Sequence, residues 1–233
     1  AAVSAASPAG VGDYAMRAEV VAPNVYAVIS PARDFPNVEN RGWNSNATFV
    51  VTNDGVLVID TGSSETIGKA LRQVIAGVTN KPVRWIINTH GHGDHWLGNA
   101  ALADAKTEII SSTTVRDRIA REGEEWVSRF NTMTEGRTGP SRVVAPNRVF
   151  DANVAVAFGD LKVELIPSGN GHSPGDLVVW LPQQKVIVGG DVLYVKRAPA
   201  AFDSQVSHWI ATLKKLEALK AAKIVPGHGP VGD

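Results

Sequence analysis

Two stretches of the chain repeat the same order of predicted elements, and this repeat constrains the fold more than any other feature. In the first stretch a hairpin ends in Asp60, a helix follows, and a strand then leads to His90, 30 residues after the aspartate. In the second stretch a hairpin ends in Asp191, a helix follows, and a strand leads to His228, 37 residues after the aspartate. The repeat predicts one domain built from two pseudo-equivalent halves, with chance similarity of two such runs as the alternative.

The periodicity of the apolar residues predicts the elements of these units. Apolar side chains recur at helical spacing from Ile67 to Ile75, so residues 64–77 are predicted to form an amphipathic helix. Two further helices are predicted, over residues 113–131 and around residues 206–216. Apolar runs bounded by turn residues predict strands over residues 19–21, 25–29, 48–51, 56–60, 83–87, 154–158, 161–165, 177–180, 186–188 and 224–225.

The length and the first residues bear on domain organisation and location. A chain of 233 residues allows one or two domains, and the repeat favours a flexible segment over residues 1–17 followed by a single domain over residues 18–233. Residues 1–10 are small and lack the charged and apolar regions of a secretory signal. They are either a frayed terminus or the mature end of a processed chain. A periplasmic or secreted location is expected, with a cytoplasmic one as the alternative.

Charge and cysteine content exclude several classes of function. Lys and Arg together number 23, as do Asp and Glu, so the formal net charge is zero and no basic stripe is available for nucleic acid. The absence of cysteine excludes disulfides, thiolate zinc sites and cysteine nucleophiles. No apolar run approaches the roughly 20 residues of a membrane-spanning helix. The expected partner is a small-molecule substrate, with neither nucleic acid nor membrane, and the oligomeric state is open.

The residues best suited to chemistry lie in one short motif, THGHGDH, at residues 89–95. His90 and His92 are two residues apart and can point the same way from extended backbone. Asp94 and His95 follow at a predicted helix start and project in another direction. Imidazole and carboxylate ligands without thiolate suit zinc, and also iron or manganese. Two ligand pairs that face different ways suggest two ions rather than one.

This motif, which follows a strand, resembles the signature of the metallo-β-lactamase superfamily. Four further segments resemble the other motifs of that family in the expected order, at residues 56–62, 171–176, 189–191 and 226–230. The resemblance runs from about residue 18 to 230. It implies an α/β fold, a four-layer αββα sandwich with the site at one edge between the sheets, in agreement with the repeat.

The resemblance also implies a role for each matching residue. The implied metal ligands form two groups and one shared carboxylate: His90, His92 and His172; Asp94, His95 and His228; and Asp191, which would bridge both ions. Asp60 would lie behind the ligands and fix the orientation of one of them, or it would simply cap a turn at the end of its strand. The implied cofactor is a pair of Zn²⁺ ions, with iron or manganese as alternatives.

The predicted enzyme is therefore a metal-dependent hydrolase. A hydroxide held between the two metals would attack the carbonyl of an amide or lactam, an ester or a thioester, because metal binding lowers the pKa of water to about 7. Asp94 would help to orient this hydroxide and is the predicted catalytic residue. The chain has no cysteine and no Gly-x-Ser-x-Gly motif, so no side-chain nucleophile is expected.

The substrate is less constrained than the reaction, because the site rather than the fold determines it. Asp191 stands where the best-known β-lactamase subclass has a cysteine, and Tyr194 stands where that subclass has a lysine for the carboxylate of the drug. Lys196 and Arg197 lie nearby and could replace it. A β-lactamase, a thioesterase or lactonase of the glyoxalase II type, and an iron-dependent oxidoreductase of the same fold all remain open. A nuclease and an inactive binding module are less favoured.

Aromatic residues near the motif are candidates for substrate contacts. Phe35 and Trp43 lie in the long polar loop of residues 31–46, which the resemblance places beside the site. Trp96 directly follows the metal motif. These rings are predicted to form an apolar lid over a substrate, with a core position as the alternative for Trp96. The remaining histidine, His208, has polar neighbours at helical spacing and is expected on the surface.

Overall fold

The computed structural model describes residues 8–233, which form two β-sheets packed face to face. The seven strands of sheet 1 lie in chain order: β1 (Glu19–Ala22), β2 (Val25–Val28), β3 (Ala47–Val51), β4 (Val56–Ile59), β5 (Val83–Ile87), β6 (Glu108–Ser111) and β7 (Arg148–Val149). The five strands of sheet 2 are β8 (Val154–Phe158), β9 (Leu161–Asn170), β10 (Pro174–Leu181), β11 (Val186–Tyr194) and β12 (Lys223–His228), in the spatial order β12-β11-β10-β9-β8. The helices are α1 (Glu65–Ala76), α2 (Asn99–Leu102), α3 (Thr113–Met133) and α4 (Val206–Glu217), with short 3₁₀ turns at Val11–Asp13 and Gly93–His95.

The predicted repeat is present in the connectivity of the two sheets. In sheet 1, β3 and β4 form an antiparallel hairpin, α1 follows, and β5 returns parallel to β4. In sheet 2, β10 and β11 form an antiparallel hairpin, α4 follows, and β12 returns parallel to β11. Because parallel neighbours end at the same edge of a sheet, each half brings the loops after its hairpin and after its return strand to one place.

Apolar side chains fill three layers of packing and so define the sandwich. The inner faces of both sheets share one core, to which sheet 1 contributes Leu57 and Ile87 and sheet 2 contributes Leu165 and Val188, among others. On the outer face of sheet 1 lies α1. On the outer face of sheet 2 lies α4, through Trp209. This arrangement is the predicted four-layer αββα sandwich.

Local signals explain where the long helices begin. The Ser64 hydroxyl accepts a hydrogen bond from the backbone N–H of Ile67, and the Ser112 hydroxyl accepts one from Val115, so each serine caps a helix N-terminus. The predicted helices at 64–77 and 113–131 agree with the structure to within two residues at each end. Strands β6 and β7 and helix α2 were not predicted.

Two residues of the N-terminal segment, Ala9 and Tyr14, pack on the domain. Residues 1–7 of the predicted flexible segment lie outside the described residues. Ala9 and Tyr14 are buried, the Ala9 N–H donates to the carbonyl of Arg137 at 2.8 Å, and the Tyr14 hydroxyl donates to the carbonyl of Arg41 at 2.9 Å. The division of the chain after residue 17 stays a prediction. Among the described helices, none has both the length and the apolar character needed to cross a membrane.

Candidate metal centre

Loops and strand ends from both sheets bring the predicted ligands together at one edge of the sandwich. The loop after β5 carries the residues of the metal motif, and the turn between β9 and β10 carries His172. Asp191 lies near the end of β11, and His228 is the last residue of β12. All seven predicted ligands fall into clusters whose donor atoms lie within 4.8 Å of one another.

The first cluster consists of three buried imidazoles and one carboxylate: His90, His92, His172 and Asp191. His172 Nε2 lies 3.0 Å from His92 Nδ1 and 3.4 Å from Asp191 Oδ2. His90 Nε2 lies 3.7 Å from the same carboxylate oxygen. Four donor atoms thus converge from four directions, which matches the ligand number of a tetrahedral zinc site.

The second cluster consists of Asp94, His95 and His228. His95 Nε2 lies 3.4 Å from both Asp94 Oδ2 and His228 Nε2, and these last two atoms are also 3.4 Å apart. Asp191 contacts this cluster as well, because its Oδ1 is 3.1 Å from His95 Nε2 and its Oδ2 is 3.1 Å from His228 Nε2. Asp191 therefore lies between the two clusters, in the position that the sequence predicted for a bridging ligand.

Each of the five histidines has an oxygen partner for the ring nitrogen that faces away from the clusters. The partners are Thr89 Oγ1 for His90 (3.0 Å), Asp203 Oδ2 for His92 (3.0 Å), Asp60 Oδ2 for His95 (2.9 Å), the Ala200 carbonyl for His172 (3.0 Å) and the Asn44 carbonyl for His228 (2.7 Å). Carbonyl and carboxylate oxygens only accept, so the outer nitrogens of the other four histidines carry the proton, and the Thr89 hydroxyl accepts from His90 because its own proton goes to Asp60. When the rings are neutral, their inner nitrogens have free lone pairs, as metal ligands require.

Asp60 serves two histidines at once. Its Oδ2 accepts from His95 Nδ1, and it also accepts at 2.7 Å from the hydroxyl of Thr89, which in turn accepts from His90. Its Oδ1 accepts from the Thr89 N–H at 2.8 Å. The structure thus places Asp60 behind one histidine of each cluster, and not only at a turn.

Burial and charge set the protonation of the clusters. Burial lowers the pKa of His172 to about 4, and it also lowers the pKa of His90 and of His92. Neutral imidazoles are the form that binds metal, so these three rings are ready to act as ligands. Burial also lowers the pKa of His95 and of His228, but the charges of Asp191 and Asp94 outweigh it and raise both, so a metal ion in the second cluster would displace protons. Burial raises the pKa of Asp94, but the charge of His95, a hydrogen bond from it and the charge of His228 outweigh this effect and hold that pKa at about 2.

The residues present fit a bound metal ion. His90 Nε2 is buried and has no hydrogen-bond partner among residues 8–233, so an imidazole lone pair points into the first cluster without compensation. Gly227 leaves space beside this cluster, because a side chain there would collide with Asp191 Oδ1. The donor set contains only imidazole nitrogens and carboxylate oxygens, which suits zinc and other divalent ions of the first transition row.

Comparison with known proteins decides the family. A family model described as the metallo-β-lactamase superfamily matches residues 40–228. The chain belongs to that superfamily. A metallo-β-lactamase type 2 from Bacillus sp. (strain 170) is 28% identical over 199 residues, which cover 81% of this chain and 68% of the relative. A linear primary-alkylsulfatase from Pseudomonas sp. (strain ATCC 19151) is 25% identical over 215 residues, which cover 76% of this chain and 40% of the relative.

A solved structure of similar shape supports the fold. A metallo-β-lactamase from Pontibacter korlensis superposes with a TM-score of 0.74 at 24% identity, over 94% of this chain and 93% of that one. The predicted superfamily, its sandwich fold and the enzyme class, a metal-dependent hydrolase, are confirmed.

In this member of the superfamily, an open cavity of about 600 Å³ lies over the two candidate metal clusters. Its floor is lined by His92, Asp94, His172, Asp191 and His228. Three segments form its walls: residues 33–36 of the long polar loop, the C-terminal half of α3, and residues 194–202 after β11. The volume is in the range that takes a drug-sized ligand.

Two of the four predicted substrate contacts line this cavity. Phe35 lies at its mouth with 64% of its surface exposed. Tyr194 also lines it, and its hydroxyl donates to Asp191 Oδ2 at 2.8 Å, so this side chain contacts the shared carboxylate directly. Arg197, which the sequence offered beside Lys196, lines the cavity too.

The expectations for Trp43 and Lys196 are corrected. Trp43 is only 8% exposed and belongs to the core under sheet 1, where its ring meets Tyr14 edge-on at 6.2 Å and its Nε1–H donates to the carbonyl of Ser45. Lys196 is exposed, is not among the residues that line the cavity, and has a positive φ of 54°. Trp96 is fully buried, in line with the core alternative, and His208 is exposed as expected.

Sequence reasoning missed Asp203 and the wall that α3 provides. Asp203 contacts His92 from 111 residues further along the chain, and it also accepts from Arg118 Nη1 at 2.5 Å. No motif marks this aspartate. In α3 the apolar period was recognised, but Trp126 and Phe130 pack in the core beside Trp96 with edges that also reach the cavity. The helical spacing of apolar residues identifies the buried face of a helix. It does not show that the same side chains also line a cavity.

Proposed function

We propose that this chain is a dinuclear zinc hydrolase that cleaves a carbonyl substrate, with β-lactams as the first class to test. The observation that carries the proposal is the position of Asp191 between two histidine clusters on the floor of an open cavity. The named activity of the Bacillus relative, a metallo-β-lactamase, supports β-lactams as substrates.

The chain supplies a preorganised site for this reaction. Zinc ions bound there would act as Lewis acids and would lower the pKa of water from 15.7 to about 7. The outer hydrogen bonds of the five histidines hold the rings in place, so little reorganisation is needed when substrate arrives. Asp94 faces the cavity, and its low pKa keeps Oδ2 ionised at neutral pH, ready to accept a hydrogen bond from the attacking water. Phe35 lies at the mouth of the cavity and helps to exclude bulk water from the reacting carbonyl.

A thioesterase or lactonase without β-lactamase activity is the second candidate, and one contact favours it. Tyr194 occupies the position where a lysine would bind the carboxylate of a β-lactam, and its hydroxyl is engaged by Asp191. Lys196, the nearest lysine on that segment, is not part of the cavity wall. Of Lys196 and Arg197, the two residues that the sequence offered for this carboxylate, only Arg197 lines the cavity.

The test measures hydrolysis of a chromogenic cephalosporin, a p-nitrophenyl ester and an acyl thioester by zinc-loaded protein. Each substrate is also assayed after chelation and with His92→Ala. A chelator-sensitive kcat/KM of roughly 10⁴ M⁻¹s⁻¹ or more for the cephalosporin identifies a β-lactamase. Turnover of only the ester or the thioester identifies the second candidate. No metal-dependent turnover of any of the three would overturn the proposed function.

A further inference from the structure

Helix α3 presents a cation and three apolar side chains to the cavity, and the reaction described above uses none of them. Trp126, Arg129, Phe130 and Met133 recur at helical spacing and form one wall. Neither the metal clusters nor the hydrogen bonds that orient them include these residues. We call these four residues the α3 wall.

Arg129 is the charged member of the wall and is held close to the metal clusters. Its guanidinium lies 5.0 Å above the ring of Trp126, and that ring lies 5.6 Å from the ring of His92. The ring of Trp126 therefore contacts both the positively charged guanidinium of Arg129 and the imidazole of His92, a candidate metal ligand. Within residues 8–233, no carboxylate lies within 4 Å of the Arg129 guanidinium. The charge is left available for a group that enters the cavity.

Positive charges outnumber negative ones among the remaining charged residues of the cavity. Outside the metal clusters, Arg33, Arg129 and Arg197 line it, whereas Asp34 is the one carboxylate among its described lining residues. Arg33 also lies close enough to Arg197 to lower its pKa, together with burial. A positively charged mouth of this kind attracts anions and disfavours cations.

Apolar side chains beside Arg129 are exposed to an unusual degree. Phe202 is 70% exposed and stacks on His92 with ring centroids 5.3 Å apart, and Met133 is 37% exposed. Together with Phe35 they leave a gap between the α3 wall and the loops that face it. Apolar surface exposed inside a cavity is a common mark of ligand binding.

We propose that the α3 wall binds an aromatic or extended apolar group that carries an anion, with the anion at Arg129 and the apolar part between Met133 and Phe202. This inference rests on the proposed function, because it names the class of substrate that the hydrolase would cleave. That class is an anionic, amphiphilic carbonyl compound whose charge lies far from the bond that is cleaved. It differs from a carboxylate bound at Arg197, which belongs to another wall of the cavity.

Binding of two matched fluorescent probes tests this assignment without any hydrolysis. The first probe is 8-anilinonaphthalene-1-sulfonate, and the second is N-phenyl-1-naphthylamine, which has the same rings without the sulfonate. Both are titrated into the zinc-loaded protein and its variants. Arg129→Ala should weaken the sulfonate probe about tenfold and leave the neutral probe nearly unchanged, because one charge-assisted contact is lost. Met133→Ala and Phe202→Ala should weaken both probes.

Controls separate this site from general charge and from other arginines. Arg116→Ala removes a charge from the same helix, where Arg116 pairs with Asp117 at the surface, and should leave both affinities unchanged. The proposal is overturned if Arg129→Ala and Arg116→Ala behave alike, or if only Arg197→Ala weakens the sulfonate probe. Because no turnover is measured, these outcomes are independent of the hydrolysis test: a protein that binds the sulfonate through Arg129 but hydrolyses nothing would refute the proposed function alone.

Discussion

His95 donates its Nδ1 proton to Asp60 at 2.9 Å, while Nε2 of the same ring lies 3.1 Å from Asp191. One imidazole thus connects a carboxylate behind the site to the carboxylate shared by the two clusters. The fold produces this connection because Asp60 follows β4 and His95 follows β5, two parallel neighbours that end at the same edge. The pairing of β4 with β5 therefore places Asp60 where it orients the ring of His95.

Asp60→Asn tests this orientation directly. Asp60 has a φ of 61°, a conformation that asparagine also adopts readily, so the backbone should be unaffected. The amide keeps a single, uncharged acceptor oxygen, so its NH₂ group must face either the Thr89 N–H or the donors at His95 Nδ1 and Thr89 Oγ1. We expect zinc affinity to fall roughly 10- to 100-fold, as measured by competition with a chromophoric chelator. Unchanged affinity in the correctly folded variant would show that Asp60 only caps its turn.

His92→Ala and Asp191→Ala each remove a donor atom from the clusters. Hydrolysis should fall below detection in both variants, whereas circular dichroism and the Tm should show a folded protein, since both residues lie in loops or at a strand end beside the cavity. His208→Ala is the matched control, because that histidine is exposed on α4 and should be silent. Full turnover by both cluster variants would remove the basis of the metal assignment.

Phe35→Ala and Trp43→Ala should separate substrate binding from stability. Trp43 is buried, so its loss should reduce the free energy of unfolding by about 3–5 kcal/mol. Phe35 is exposed at the cavity, so its loss should change stability by no more than about 0.5 kcal/mol but should raise KM roughly fivefold. Chemical denaturation and steady-state kinetics of both variants check this. The reverse pattern would restore Trp43 as a substrate contact.

The ion pair between Glu65 and Arg142 predicts a pH-dependent contribution to stability. Hydrogen bonds from Arg142 lower the pKa of Glu65, so folding favours the ionised carboxylate. The stabilisation is present above about pH 4.5 and is lost as the pH falls through the folded pKa. Arg142→Ala should therefore lower the Tm at pH 7 and have little effect at pH 3. A Tm difference that is as large at pH 3 as at pH 7 would exclude this pairing as its cause.

The sequence indicated the metal clusters in two ways. The short motif of residues 89–95 supplied four candidate ligands by residue type and spacing, whereas the resemblance to the superfamily motifs implied His172, Asp191 and His228. Trp43 was misjudged because neither kind of signal bears on it. Its burial depends on Tyr14, a contact between distant segments that no short motif encodes.

Asp203 was also missed from the sequence because its contact with His92 depends on the tertiary fold. Its partner His92 lies in a different half of the molecule, and only the completed sandwich brings the loop before α4 over the metal motif. The candidate metal ligands follow from one short motif and from a resemblance to family motifs. Residues that orient those ligands or shape the cavity depend on tertiary contacts, and the structure is needed to find them.

The most direct test of the central claim is a zinc titration of the metal-free protein in which bound zinc and hydrolysis are followed together. We predict that two equivalents bind, that Asp191→Ala lowers this number, and that turnover appears only as the clusters fill. A protein that binds no zinc, or one that hydrolyses its substrate fully before any metal is added, would contradict the assignment of these seven residues as a catalytic metal centre.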